Sequence, residues 1–367
     1  MRSDPAAEAN HPSGRAWRVE DFDYVLPRAA IAQEPLADRA ASRLLVARPH
    51  SRRFSHATVR DLGRWLRPGD LLVANNSRVI PARLNATREG TGGRAELLLL
   101  RHEGEDRWLA LAKPARRLRP GAWLVVCPRN GSGAPPLRIE IEAVGGGGQV
   151  TVRLHGRKRI DLGVYGDVPL PPYITAPLAD AERYQTVYAR AEGSAAAPTA
   201  GLHFSRELID ELRAAGIGLA EVTLHVGLDT FRPVTADRIE EHTIHREWSE
   251  VSDEAARAIA ATKRAGGRIV AVGTTSARTL EYFAQQFDPD RPTGLSGMAD
   301  LFITPGYRWR LVDGLFTNFH LPRSTLLMMV SALAGVETLR AAYAEAIAEG
   351  YRFYSFGDAM VILPTEE

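Results

Sequence analysis

Two stretches in the second half of the chain repeat one pattern, and that pattern restricts the fold more than any other feature. RELIDELRAAG (206–216) is amphipathic with helical period and closes on glycine, and GLAEVTLHV (218–226) follows with the texture of a strand. DEAARAIAATKRAGG (253–267) and RIVAVG (268–273) repeat that order. Helix then strand, twice over, predicts an α/β sheet whose ligand loops lie at strand ends. Between Asp70 and about Val152 the texture changes to short apolar runs, among them DLLVANNSRVIPARL, AELLLLR, RWLALAK and LRIEIEAV, separated by Gly, Pro and Asn turns. Such spacing predicts a small antiparallel barrel. The expected architecture is thus a discontinuous α/β sheet domain, residues 16–69 and 156–367, with an inserted small antiparallel β-barrel domain at 70–155. Residues 1–15, rich in Pro, Gly and charge without an apolar stretch, read as a disordered tail.

Composition excludes several classes. Lys+Arg at 46 against Asp+Glu at 44 leaves a formal charge of +2, so the molecule is no polycation, although a local basic face remains open. The single cysteine, Cys127, rules out a disulfide framework or a cysteine-based zinc site and fits a reducing cytosol. The most apolar run, LLMMVSALAG (326–335), falls far short of the ~20 residues that cross a bilayer. A cytoplasmic protein without membrane contact is expected.

Chemistry-bearing residues gather in a few strings. RIVAVGTTSARTLEYF leads from a strand through Gly273, Thr274, Thr275 and Ser276 into a helix, where free N–H groups and hydroxyls favour an anion. The alternative is that Thr275 or Ser276 simply caps the helix. GTTS has neither the lysine of a P-loop nor GxGxxG spacing. In EEHTIHREW, His242 and His245 stand three apart with no carboxylate placed as in HExxH, so hydrogen-bonded histidines are preferred over a metal site. APTAGLHF (197–204), TLHVGLDTF (223–231) and TNFHLP (317–322) each set a histidine among apolar residues beside Gly or Pro. One such histidine reads as core; three together read as groups at element ends, where binding residues collect. No GxSxG elbow occurs.

DLLVANNSRVIPARL, VPLPPYI, ERYQTVYA, AAPTAGLHF, TLHVGLDTFRPV, EEHTIHREW, AVGTTSARTLE, TNFHLPRSTLLMMVSALAG and YRFYSFGDAM, in this order from about Phe22 to Leu363, resemble the S-adenosylmethionine:tRNA ribosyltransferase-isomerase family of queuosine biosynthesis. The resemblance implies an α/β domain with an inserted β-barrel and no metal. It implies an enzyme that takes S-adenosylmethionine as co-substrate and tRNA carrying preQ1 at the wobble position, docked through its anticodon arm. The ribosyl part is transferred and rearranged to give epoxyqueuosine, with adenine and methionine released. It implies His203 or His225 as the base that draws off a ribose C5′ proton, and Asp358 facing the sulfonium or the preQ1 ammonium. Thr199, Gly201 and Gly227 would wall the co-substrate, Thr274, Thr275 and Arg278 would hold a carboxylate or phosphate, and Asn318 and His320 would bind adenine or ribose. Arg78, Arg352 and Tyr354, with Tyr351 and Phe353, would meet tRNA, although core packing explains those aromatics equally well. The chain is expected to work as a monomer.

The strings also depart from the family. The loop usually written GAGTF followed by Gln is here Gly227, Leu228, Asp229, Thr230, Phe231 and Arg232, and an HxMHSE-like string carries Ile244 and Arg246. Two alternatives therefore stand beside the main reading: the same ribosyl chemistry on a deazapurine outside tRNA, or a non-catalytic RNA-binding protein.

Overall fold

The computed structural model describes residues 16–129, 132–156, 160–227, 234 and 236–365. The chain falls into two compact units, one made of 1–77, 172–190 and 198–367, the other of 78–171 and 191–197. The first holds nine strands: β1 (Arg43–Ala47), β2 (Ser55–Thr58), β3 (Leu71–Asn75), β4 (Gly218–Leu224), β5 (Glu247–Val251), β6 (Ile269–Val272), β7 (Leu295–Ala299), β8 (Gly314–Asn318) and β9 (Ala359–Ile362). They form one sheet in the order β7-β5-β4-β3-β6-β8-β9-β1-β2. Strands β4, β3, β6 and β8 run parallel, while β5 and β9 are antiparallel to the β4 and β8 beside them.

The helix–strand alternation of the sequence appears as α1 (Arg206–Ala214) before β4 and α2 (Asp253–Arg264) before β6. Further helices are α3 (Thr274–Phe283), α4 (Thr325–Ala334) and α5 (Val336–Ala348). Every residue of β3, β6, β8 and β9 is buried, as a parallel sheet covered on both faces requires. Period two divides them between two cores. Leu71, Val73, Ile269, Ala271 and Leu315 join the α2, α3, α4 and α5 side, while Leu72, Ala74, Val270, Val272 and Phe316 meet α1 through Leu208, Ile209 and Leu212. Each such aliphatic side chain contributes on the order of 1.5–3 kcal/mol by leaving water.

The other unit contains a closed barrel in the order Gln149–His155, Arg107–Lys113, Arg94–Gly104, Arg83–Arg88, Trp123–Val126 and Leu137–Val144, all neighbours antiparallel. Its interior is filled by alternate residues such as Leu84, Leu97, Leu99, Ile139, Ile141 and Val152. An α/β sheet and a small antiparallel barrel are the two parts that the sequence predicts. The segment after Asp70 does not start the barrel, however: β3 lies at the centre of the large sheet, and the compact units divide between Ser77 and Arg78. Among the described residues no single helix is long and apolar enough to cross a membrane.

Candidate active site

Strands β4, β3, β6 and β8 end at one edge of the sheet, and β5 and β9 begin there. The parallel strands that follow β3 in sequence lie on opposite sides of it, β4 on one and β6 on the other. Ligands of open α/β sheets bind at the carboxyl ends of strands where the order reverses in this way. At about 4.8 Å per strand, the ends of β4 and β8 stand roughly 14 Å apart.

His225 follows β4 directly. Its N–H donates to the Trp248 carbonyl at 3.0 Å, and its ring stacks on Trp248 with centroids 5.1 Å apart and planes at 19°. The Nδ1 atom is buried with no hydrogen-bond partner among the described residues, and burial lowers the ring's pKa from the usual 6.5. The imidazole is therefore neutral near pH 7, the form that accepts a proton.

Its neighbours are fastened from three directions. Asn75, at the end of β3, donates Nδ2 to the Leu224 carbonyl at 3.0 Å and accepts the Leu224 N–H at 3.1 Å, so one amide extends the strand pairing by a residue. Glu247 accepts the Gly227 N–H at 2.8 Å on Oε1 and Arg278 Nη1 at 2.5 Å on Oε2. Arg278 gives its other nitrogens to the carbonyls of Leu301 at 3.0 Å, His245 at 2.5 Å and Ala299 at 3.0 Å. Expected to meet a substrate anion, Arg278 is instead buried and committed to protein acceptors. Leu228 and Asp229 lie outside the described residues.

Helices α1, α2 and α4 start on serines, Ser205, Ser252 and Ser324, whose side chains accept a first-turn N–H. At α3 the capping position is Gly273, at φ +88°, with no side-chain cap. Neither hydroxyl proposed as a cap serves as one: Thr275 Oγ1 accepts from Asn75 Nδ2 at 3.2 Å, and Ser276 donates to the Val272 carbonyl at 2.8 Å. Thr274 and Thr275 thus open a helix whose positive end carries no side-chain acceptor.

At the end of β8 the polar groups bond one another instead. Asn318 accepts the Thr199 hydroxyl at 2.9 Å on Oδ1 and gives Nδ2 to the Tyr354 carbonyl at 3.2 Å and to His203 Nε2 at 3.0 Å. A carbonyl can only accept, so the amide orientation is fixed, His203 Nε2 is an acceptor, and the ring proton sits on Nδ1. Burial, with Arg352 and Arg39 nearby, pushes the His203 pKa down to about 3. His320 pairs Nε2 with Thr317 Oγ1 at 2.8 Å, receives the Tyr343 hydroxyl on no ring atom but offers that hydroxyl its own N–H at 2.8 Å, and is likewise pushed by burial to about 3. Asp358 accepts the N–H groups of Arg43 at 3.0 Å and Arg352 at 2.8 Å, which makes it a clamp at the start of β9.

Several remaining expectations meet tighter packing. A side chain on Gly201 would lie 2.2 Å from the Tyr188 hydroxyl, so that glycine serves a close approach of protein to protein. Tyr354 packs against Tyr173 with ring centroids 4.7 Å apart and planes tilted by 53°, and is buried with Tyr351 and Phe353 in the core, which corrects the expectation that these aromatics meet tRNA. Arg352 is partly exposed beside Asp358 at 3.6 Å, and Arg78 is half-buried in the short strand Ser77–Val79. His242 packs edge-on against Phe302 at 5.5 Å, and among the described residues no group of three or more His, Cys, Asp or Glu is placed to hold a metal.

A family model described as "Queuosine biosynthesis protein" matches residues 19–362. The chain belongs to that family. A relative from Pelotomaculum thermopropionicum, named S-adenosylmethionine:tRNA ribosyltransferase-isomerase, is 50% identical over 345 residues, covering 94% of this chain and 99% of its own. One of the same name from Symbiobacterium thermophilum is 51% identical over 346 residues, covering 94% and 100%. A crystal structure of S-adenosylmethionine tRNA ribosyltransferase from Thermotoga maritima superposes with a TM-score of 0.54 at 38% identity, covering 94% of this chain and all of that one. Within this family chain, Asn75, Glu247 and Trp248 are the positioning residues that sequence reasoning missed. The NN pair after an apolar run signals a polar strand end, but nothing local shows that its partner lies 149 residues away.

Proposed function

We propose that this protein is an S-adenosylmethionine:tRNA ribosyltransferase-isomerase. It moves the ribosyl part of S-adenosylmethionine onto preQ1 at the wobble position of tRNA, yielding epoxyqueuosine, adenine and methionine. The observation that carries this reading is end-to-end similarity, at about half identity, to relatives that bear the activity's name. The organisation of the sheet edge is compatible with it. A histidine with a depressed pKa and a helix start without a side-chain cap stand near the order-reversing strand.

His225 is assigned the proton-abstracting role in preference to His203. A base needs a free lone pair within reach of its proton, and the His203 Nε2 lone pair is already occupied by Asn318, whereas His225 Nδ1 has no partner among the described residues. In the assigned sequence the sulfonium acidifies the ribose C5′ protons, His225 takes one, and adenine is eliminated. The preQ1 amine then attacks the sugar fragment, and epoxide closure expels methionine. Thr274, Thr275 and the first-turn N–H groups of α3 would hold an anionic substrate group, and Thr199 and Gly227 would flank the co-substrate. The acceptor's anticodon arm, a monomeric state and a cytoplasmic location belong to the same proposal.

Incubation with S-adenosylmethionine and preQ1-bearing tRNA, followed by nucleoside digestion and mass analysis, tests it. Epoxyqueuosine with equimolar adenine is expected. Adenine released without modified nucleoside would remove tRNA as the acceptor and favour a free deazapurine.

A further inference from the structure

Beside His203 lies a feature that the assigned chemistry does not use. A small cavity of about 20 Å³ is lined by Arg39, Ser42, Arg183, His203, Ser355 and Gly357, among others. Arg39 donates Nη1 to the Leu202 carbonyl at 3.0 Å and Nη2 to the Glu182 carbonyl at 3.1 Å. Arg183 donates Nη1 to the Ala37 carbonyl at 3.0 Å and Nη2 to that of Leu36, while its Nε is buried without a partner. Four backbone carbonyls thus orient two guanidinium groups that carry five donors each, leaving N–H groups unspent.

The pair is unusual in its charge. Burial and then Arg183 lower the Arg39 pKa, so the two cations repel, and Asp180 and Glu182 offset this only in part. Among the described residues neither arginine forms an ion pair, and the nearby Asp38 is engaged by Arg60. Holding like charges side by side costs free energy unless an anion joins them. His203 adds a third donor of the right kind, since its acceptor nitrogen faces Asn318 and its proton is on Nδ1. Asn318 ends β8, so the cavity lies at the same sheet edge as His225 and the start of α3.

We propose that Arg39 and Arg183, with His203, form an oxyanion site that receives one singly charged group of the substrates. Planar, preoriented guanidinium forks suit carboxylate and phosphate alike. Two sources of such a group follow from the function proposed above, on which this inference rests: the amino-acid carboxylate of S-adenosylmethionine and a phosphodiester of the tRNA. A cavity with room for about one water admits a single oxygen of such a group, the remainder lying outside.

The test compares Arg39→Gln and Arg183→Gln with Arg39→Lys and Arg183→Lys. Binding of S-adenosylmethionine is measured by calorimetry and binding of unmodified tRNA by titration at several salt concentrations. If a phosphodiester occupies the site, each Gln variant binds tRNA about tenfold more weakly and flattens the log K against log salt slope by about one, with co-substrate affinity unchanged. If the carboxylate occupies it, affinity for S-adenosylmethionine falls about tenfold and the salt slope for tRNA stays put. Since both arginines also pin loops, a purely structural role predicts that Lys and Gln variants fail alike, whereas the anion site predicts that Lys retains most of the binding. Folded Gln variants that bind both substrates as the wild type does would overturn the proposal. A wild-type protein that binds neither substrate would instead remove the function proposed above, and this site with it.

Discussion

His225 follows β4, and His203 bonds Asn318 at the end of β8 three strands along the same edge of the sheet, yet the two rings are in opposite states. His203 is buried, its Nε2 held by an amide that is itself held by Thr199 and a carbonyl. His225 is partly exposed on a tryptophan face, its Nδ1 unpartnered. Both come from apolar, glycine-containing strings, so residue type and local sequence do not separate them. What separates them is the nitrogen that could take a proton: His203 Nε2 is occupied by Asn318, whereas His225 Nδ1 has no partner among the described residues.

The largest expected effect concerns the clamp beside His225. Arg278→Ala should lower the free energy of unfolding in urea by about 3–5 kcal/mol, because the buried Glu247 would lose its guanidinium partner. A loss below about 1 kcal/mol would mean that Arg278 is not the clamp described and would reopen it as a substrate ligand. Next in size is His225→Ala, expected to reduce turnover by ~10²-fold or more, about 2.7 kcal/mol of barrier, with stability within about 1 kcal/mol of wild type. The same base sets a pH signature. His225 must be neutral to act and its pKa lies below 6.5, so kcat/KM should fall with acid only below that value and stay level through neutrality. An acid limb centred above 6.5 would contradict the assignment.

The buried pair predicts a different acid response. His203 and His320 are depressed to about 3 in the folded state, against about 6.5 unfolded, so below 6.5 the unfolded chain binds more protons. Their contribution to stability is complete above 6.5 and is lost as pH falls towards 3, by about 2 kcal/mol each at pH 5. Urea unfolding at pH 7 and pH 5 measures the sum, and His203→Phe should remove about half of it. The smallest effect is Thr275→Val, which keeps shape and deletes the hydroxyl that Asn75 steers; KM for S-adenosylmethionine should rise about fivefold while kcat changes less. An unchanged KM would place the substrate anion away from α3.

Much of the fold was legible in local pattern. Helices α1 and α2 announce themselves by period and closing glycine, and the barrel by short runs between turns. The placement of β3 was not, because LLVAN reads alike in a barrel or a buried parallel sheet, and its partner β4 begins only at Gly218. Candidate site residues divided in the same way. His225 and the α3 start came from strings that end regular elements, which sequence shows. That Arg278 and Asp358 would be spent on backbone partners, that His320 would be held beside the Tyr343 hydroxyl, and that Tyr354 would be core, depends on contacts between distant segments. Arg39 and Arg183 drew no notice, since two arginines 144 positions apart in an Arg-rich chain carry no local signal.

The contrast between the two histidines is tested most directly by one experiment. Folded His225→Ala and His203→Ala proteins are given S-adenosylmethionine and preQ1-bearing tRNA under single-turnover conditions, and epoxyqueuosine is followed by mass. The expected result is a loss of ~10²-fold or more for His225→Ala and less than about tenfold for His203→Ala. The reverse ranking, with His203→Ala inactive and His225→Ala near wild type, would contradict the assignment.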